Sequence, residues 1–192
     1  MAPSRGPWRR LADYGLTFVL LGLLILFAGR LGHNNMRTQE GTAVVNDGDS
    51  ITLGTKRVRL VGIDAPEYSQ ICRKDGADYA CGRRAREALV QLIGAKPVSC
   101  SGGQNDRYGR LLGNCVAGGV DLNRAQVEAG WAVAYGGYES EEASARAARA
   151  GIWAGSFERP QDWRRHHGAT LEPKHDDFLA RIGDWLRQAL RF

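Results

Sequence analysis

The sequence predicts a mainly β domain of the α+β class, a small five-stranded barrel with about three packed helices, preceded by one N-terminal transmembrane helix. Two patterns carry this: short β-branched runs bounded by turn dipeptides, and helical periodicity that interrupts and then follows them. The regular strand-helix alternation of a doubly wound sheet is missing. A length of 192 residues suits one domain with extensions, since a domain commonly takes about 100 to 200. With 43% hydrophobic and 24% charged residues, the chain is neither wholly disordered nor a polytopic membrane protein.

The first element is apolar. From Tyr14 to Gly29 sixteen residues carry no charge, with Arg5, Arg9, Arg10 and Asp13 before them and Arg30 after. As a helix this stretch reaches about 24 Å against a hydrocarbon core of roughly 30 Å, so a membrane span needs help from its flanks. Signal peptidase needs small residues two apart, and the pairs Leu26/Ala28, Phe27/Gly29, Ala28/Arg30 and Arg30/Gly32 do not supply them. The expectation is an uncleaved anchor within residues 1–29, with the rest of the chain periplasmic or extracellular; secretion after signal cleavage is the alternative. Residues 30–40, RLGHNNMRTQE, lack periodicity and read as a linker.

Residues 41–155 read as the barrel domain. Runs from Thr42 to Val45, Ser50 to Leu53 and Arg57 to Val61, separated by DG and LGT turn signals, predict a meander. A helix fits Gly82 to Ile93, where Ala85, Leu89, Leu92 and Ile93 recur at helical spacing. Two further strands, Pro97 to Ser101 and Leu111 to Val116, flank the polar GGQNDRYG stretch, and helices follow over 122–128 and 139–150, the second stopped by Gly151. Together these suggest a partly open Greek-key barrel of the OB type.

All four cysteines, Cys72, Cys81, Cys100 and Cys115, lie downstream of the apolar segment, where export places them in an oxidising compartment. Four cysteines allow three connectivities. The sequential one, Cys72 to Cys81 and Cys100 to Cys115, closes two short loops, and antiparallel pairing of the last two strands puts Cys100 and Cys115 at or near opposite positions. Zinc is the rival, but no pair has CxxC spacing and the four His lie elsewhere.

Residues 156–192 form a C-terminal extension that is polar as far as Asp177 and closes in FLARIGDWLRQALRF. Phe178, Ile182, Trp185, Leu186, Ala189 and Leu190 make one apolar stripe, expected as a helix that packs on its own domain or a partner, or lies on a membrane surface. His166 and His167, beside Arg164 and Arg165, read as a solvated patch. The net charge of +5 divides as +3 over residues 1–40, +1 over 41–155 and +1 over 156–192. Most of the excess therefore flanks the apolar segment, where basic residues orient a span, and it says little about a polyanionic partner.

Three segments concentrate chemistry: NDGDS at 46–50, RLVGIDAPE at 59–67 and NDRYGR at 105–110. Each alone is an ordinary turn or strand exit, but their joint occurrence inside one barrel is not. Asp49 and Asp64 supply hard oxygen donors and the Ala65 carbonyl a third, a set suited to Ca²⁺ because no His or thiolate joins it. Glu67 follows Asp64 by three residues across Pro66, placed to reach a water near the ion as a general base. Arg59 and Arg110 offer permanently charged forks suited to the oxygens of a phosphodiester and to the extra charge of five-coordinate phosphorus. The chemistry expected is phosphodiester hydrolysis.

These segments resemble the three signature segments of the staphylococcal nuclease (thermonuclease) family over about Gly41 to Trp153. The resemblance implies an OB-fold barrel and Ca²⁺-dependent endonucleolytic cleavage of DNA and/or RNA, with 3′-phosphate products. It places the metal carboxylates at Asp49 and Asp64, the metal-binding carbonyl at Ala65, the base at Glu67 and the phosphate arginines at Arg59 and Arg110. Asp47 matches a nearby outer acid, Tyr108 and Tyr135 match aromatic residues of the nucleotide pocket, and Arg107 matches a basic position beside them. Ala65 stands where the best-known member has threonine. A second pocket tyrosine is Gly137 here, which Tyr138 replaces only by a shifted backbone. The loop between Glu67 and the first helix carries Cys72 and Cys81, which the cysteine-free prototype lacks, and a bridge there would stiffen a loop beside the site. The alternative is a membrane-tethered OB module that binds nucleic acid without turnover.

Overall fold

A chain of short β-branched runs can bury an apolar core only by pairing those runs, and the pairing observed joins them into one curled sheet. The structure, a computed structural model, describes residues 7–33 and 36–167; within 7–33, side chains are described for 14–27. Two compact units divide at Met36 and Arg37.

The first unit contains helix α1, Pro7–His33, whose described side chains from Tyr14 to Phe27 are all exposed. Among the described residues, no helix is long and apolar enough to cross a membrane. The C-terminal apolar stripe expected over 178–190 lies outside the described residues.

The second unit begins with strands β1 (Arg37–Gly41), β2 (Ala43–Val45), β3 (Ser50–Leu53), β4 (Lys56–Leu60) and β5 (Ile63–Asp64). A small hairpin, β6 (Cys72–Lys74) and β7 (Ala77–Tyr79), leads into helix α2 (Cys81–Ile93). Strands β8 (Val98–Asn105), β9 (Leu111–Ala117) and β10 (Val120–Asp121) follow, then α3 (Leu122–Glu128), β11 (Val133–Ala134) and α4 (Glu139–Ala147). A 3-10 turn, Gly151–Ala154, and helix α5, Pro160–His166, end the described chain.

The main sheet runs β1-β8-β9-β4-β3-β2, with β10 on β9. Its two ends, β1 and β2, are separated in the chain by Thr42 alone. They are therefore one bent strand, and the sheet must curl until its ends meet. Counted this way the barrel has five strands, with β4 and β9 parallel and the other pairs antiparallel, which is an OB-like arrangement.

This corrects one expectation. Residues 37–40, read as part of a linker, belong to β1, which pairs with β8 from Arg37 opposite Gly102 to Gly41 opposite Val98. The strand has no apolar alternation, because its exposure pattern is set by lying on β8 rather than by a buried face.

Ile51, Val58, Leu60, Val98 and Cys115 fill the barrel, and Leu89, Ile93, Leu122 and Val127 bring α2 and α3 against it. Cys100 and Cys115 are direct partners across β8 and β9 and are disulfide-bonded. Cys72 and Cys81 form the second bond, closing the β6–β7 hairpin onto the start of α2. Helix α4 stops at Ala147, short of the expected Ala150. There the chain turns to seat Gly151 against Gly130, where a Cβ on Gly151 would lie 2.2 Å from the Gly130 carbonyl oxygen. Ile152 N then donates to that same oxygen at 2.9 Å.

Candidate active site

The site grows from the turn between β2 and β3. Asp47 folds it: its carboxylate accepts from the Asp49 amide at 3.0 Å and from Ser50 Oγ at 2.8 Å. Asp47 thus organises the loop that presents Asp49. Gly48 passes so close to Ala65 and Ala85 that a Cβ would lie 2.7 Å from each of their Cβ atoms. Gln126, buried on α3, ties the turn down by donating Nε2 to the Gly48 carbonyl at 2.7 Å and to that of Ala85 at 3.0 Å.

Asp64 arrives from the short ribbon of β5 and β11, where it pairs with Val133. Arg59 Nη2 lies 2.8 Å from Asp49 Oδ2 and 2.6 Å from Asp64 Oδ1, so both carboxylates touch a single nitrogen. The Ala65 amide donates to Asp49 Oδ2 at 3.1 Å, fixing the β5 exit against the turn. Burial pushes the Asp49 carboxyl well up, with Asp47 and Asp64 adding repulsion that Arg59 only partly offsets. Asp49, in turn, holds the Arg59 guanidinium firmly charged.

This donor chemistry fits a hard divalent cation. The two carboxylates are hard oxygen donors that meet at one Arg59 nitrogen, and all four cysteines are tied up in disulfides. Among the described residues, no three His, Cys, Asp or Glu side chains gather as a metal-holding group. A cation here would therefore rest on Asp49, Asp64 and main-chain or water oxygens.

Glu67 is anchored through its backbone: its amide donates to Gln70 Oε1 at 3.2 Å, and its carbonyl accepts from Gln70 N at 2.8 Å. Burial raises its carboxyl above the usual range, and a bond from Arg164 opposes that rise. Arg164, expected in a solvated patch, instead reaches into the site from α5. It donates Nη1 to Asp64 Oδ1 at 3.0 Å and to Glu67 Oε1 at 2.7 Å, and Nη2 to Asp64 Oδ2 at 2.9 Å. Nothing local announced this contact. Its only sequence trace is the Arg-Arg pair behind Pro160, a residue suited to a helix start.

Arg110 directly precedes β9, whose Leu111 and Leu112 pair with Val58 and Arg59, so the register brings it to the strand beside Arg59. Asp106 holds it, with Oδ2 accepting from Nε at 2.7 Å and Oδ1 from its amide at 2.9 Å. Tyr108 is exposed and lies under both Arg107 and Arg110, at 4.7 and 5.3 Å from ring centroid to guanidinium carbon. Tyr135 is exposed at the end of β11, its amide bonded to the Gly62 carbonyl at 3.0 Å. Tyr138, beside Gly137, has its ring near Gly62 and donates its hydroxyl to Asn114 Oδ1 at 3.3 Å.

A sequence model described as staphylococcal nuclease homologue matches residues 57–155, more than half of the chain. The chain belongs to the staphylococcal nuclease homologue family. It is 42% identical over 121 residues to the succinoglycan biosynthesis protein ExoI of Rhizobium meliloti, covering 59% of this chain and 63% of that protein. It is 33% identical over 135 residues to a probable staphylococcal-like nuclease of Oryza sativa subsp. japonica, covering 66% of this chain and 33% of the rice protein. An uncharacterized endonuclease of Escherichia coli O157:H7 is 35% identical over 133 residues, covering 64% of this chain and 81% of its own length. The chain thus spans less than two thirds of the first two of these relatives. The family match starts inside β4 and takes in Arg59, Asp64, Glu67 and Arg110, while Asp49 lies before it and Arg164 beyond it.

Proposed function

We propose that this chain is a Ca²⁺-dependent endonuclease that hydrolyses phosphodiester bonds of DNA and/or RNA and leaves 3′-phosphate ends. The observation that carries the reading is the contact of one Arg59 nitrogen with both Asp49 and Asp64, beside Glu67 and within a family that includes named endonucleases. A bound divalent cation supplies charge that offsets the two carboxylates and the phosphate.

The chain's own residues do the rest. Asp49 and Asp64 hold the cation's place. Glu67, its carboxyl raised by burial, accepts a proton from the attacking water at Oε1 or Oε2. Arg59 and Arg110 bind the phosphate oxygens and stabilise the charge that grows on them as phosphorus becomes five-coordinate. The P–O5′ bond then breaks, the phosphate stays on the 3′ oxygen, and the departing 5′ oxygen takes a proton from water. Tyr108 and Tyr135, exposed and aromatic, offer faces on which a base stacks, and Arg107 adds a cation beside Tyr108.

We propose further that the nuclease domain lies outside the cytoplasm, tethered through residues 1–29, although the described part of α1 is not by itself a membrane span. The exposed apolar side chains from Tyr14 to Phe27 and the basic residues Arg5, Arg9 and Arg10 before them support this. Recovery of the protein from carbonate-washed membranes is expected, and full release into the soluble fraction would contradict the anchor.

The deciding assay incubates the full chain with single- and double-stranded DNA and RNA, with Ca²⁺, Mg²⁺ or chelator, and identifies the product ends. Cleavage that stops with chelator and leaves 3′-phosphates is the expected result. Binding without cleavage under every condition would favour the non-catalytic OB module instead.

A further inference from the structure

The segment after the 3-10 turn crosses the molecule to the same carboxylates that would receive the cation. Its start is fastened at three points. Trp153 and Phe157 pack edge to face with the Cys72–Cys81 bond in their cluster, Arg73 and Ser156 exchange backbone bonds of 2.8 and 2.9 Å, and Gln70 Nε2 donates to the Glu158 carbonyl at 2.7 Å. Gly155 makes this approach possible, since a Cβ there would lie 2.0 Å from the Arg73 carbonyl oxygen. Beyond Glu158 the hold is different. Pro160 is the one buried residue of α5, and Arg164 supplies the bonds that tie the helix to the site.

We propose that Arg164 is a built-in competitor for the divalent cation, and that α5 is a strap released from Asp64 when the cation enters. The proposal rests on Asp49 and Asp64 being the cation's carboxylates. Arg164 grips Asp64 at both oxygens in the two-pronged manner that suits a guanidinium and a carboxylate. It also covers Glu67, the group that must meet water. A cation bound through Asp64 would therefore face a like charge within bonding distance of its own ligand. Arg59 also touches Asp64, but at Oδ1; among the described residues Oδ2 is met by Arg164, so the cation and Arg164 compete for that oxygen, and by linkage stronger strap docking means weaker cation binding. Beyond the Arg159–Glu142 pair at 3.7 Å and buried Pro160, the described polar ties of α5 to the barrel are those of Arg164. Releasing Arg164 therefore frees the end of the helix, and a released helix of seven residues is too short to persist by itself.

Calorimetric titration of the full chain with Ca²⁺, in the absence of nucleic acid, tests this directly. Arg164→Ala is expected to bind Ca²⁺ about tenfold more tightly than the unaltered chain, because a charge-assisted competitor has been removed. Arg165→Ala, an exposed neighbour on the same helix, is expected to leave the affinity unchanged. In the unaltered protein, hydrogen exchange of the amides in 160–167 is expected to quicken when Ca²⁺ is added. Equal or weaker affinity in Arg164→Ala, or exchange in 160–167 that stays the same or slows with Ca²⁺, overturns the strap while leaving the cation site standing. Absence of Ca²⁺ binding in both the variant and the unaltered chain would overturn the cation site itself, and the strap with it.

Discussion

Gly82, in the first turn of α2, lies against the Glu67 carbonyl so closely that a Cβ would sit 1.7 Å from the oxygen and 2.6 Å from the carbon. Both neighbours are backbone, so no side chain can swing aside. Gly82→Ala is expected to destabilise the domain by about 1 to 3 kcal/mol and to lower cleavage by displacing Glu67. Urea unfolding and initial rates check both, and a variant with unchanged stability would show that the loop yields without strain.

Removing one charged group from the candidate site should slow cleavage much more than it disturbs the fold. Glu67→Gln and Arg110→Ala are expected to lose roughly 10²- to 10³-fold in rate while keeping the native circular dichroism. Arg59→Ala should differ. It leaves Asp49 and Asp64 buried without their shared partner, and breaking such a pair costs about 3 to 5 kcal/mol. Added Ca²⁺ should return part of that loss, which a thermal melt with and without the ion will show.

The Asp106–Arg110 contact gives a pH signature. Burial alone would raise the Asp106 carboxyl, but the bonds from Arg110 and the Tyr108 amide hold it below its ordinary value. A carboxyl depressed in the folded state adds stability that is fully present above its unfolded pKa of about 3.9. That contribution is lost as pH falls through the lower, folded value. The stability gap between the unaltered chain and Asp106→Asn is therefore expected to be constant above about pH 4 to 5 and to shrink below it. A gap that widens on acidification would reverse the assignment.

The polar strand β1 should matter to folding despite its composition. A fragment starting at Gly41 lacks Arg37 to Glu40 and so leaves β8 paired only with β9 along that length. It is expected to melt well below a fragment starting at Met36, and equal melting temperatures would argue that the bend at Thr42 is not structural.

The readable parts of this fold are those whose signals are local. The meander of β2 to β4 shows in Val44, Val45, Ile51 and Val58 because β-branched side chains suit a half-buried pleat, and α2 shows in the spacing of Ala85, Leu89 and Ile93. The pairing of Cys100 with Cys115 follows once their strands are placed opposite one another. Strand β1 was hidden because its order comes from a partner sixty residues away in the chain, and the β6–β7 hairpin because Arg73, Lys74 and Asp78 carry no apolar alternation. At the site, the acids from Asp47 to Glu67 stand close together in sequence and could be read as a group. Arg164 is a hundred residues from Asp64, and only the folded path of the segment after Gly155 brings it there. Asn123 was equally silent: it takes the Cys115 amide at 3.0 Å and donates to the carbonyls of Val61 and Gly113, a joint between β9 and the turn after β4 with no motif of its own.

Because β1 and β2 are two halves of one bent strand, the outermost strands of the main sheet among the described residues are only five and three residues long. A second copy of the chain is thus offered little template for extending the sheet, the route by which many small β domains polymerise.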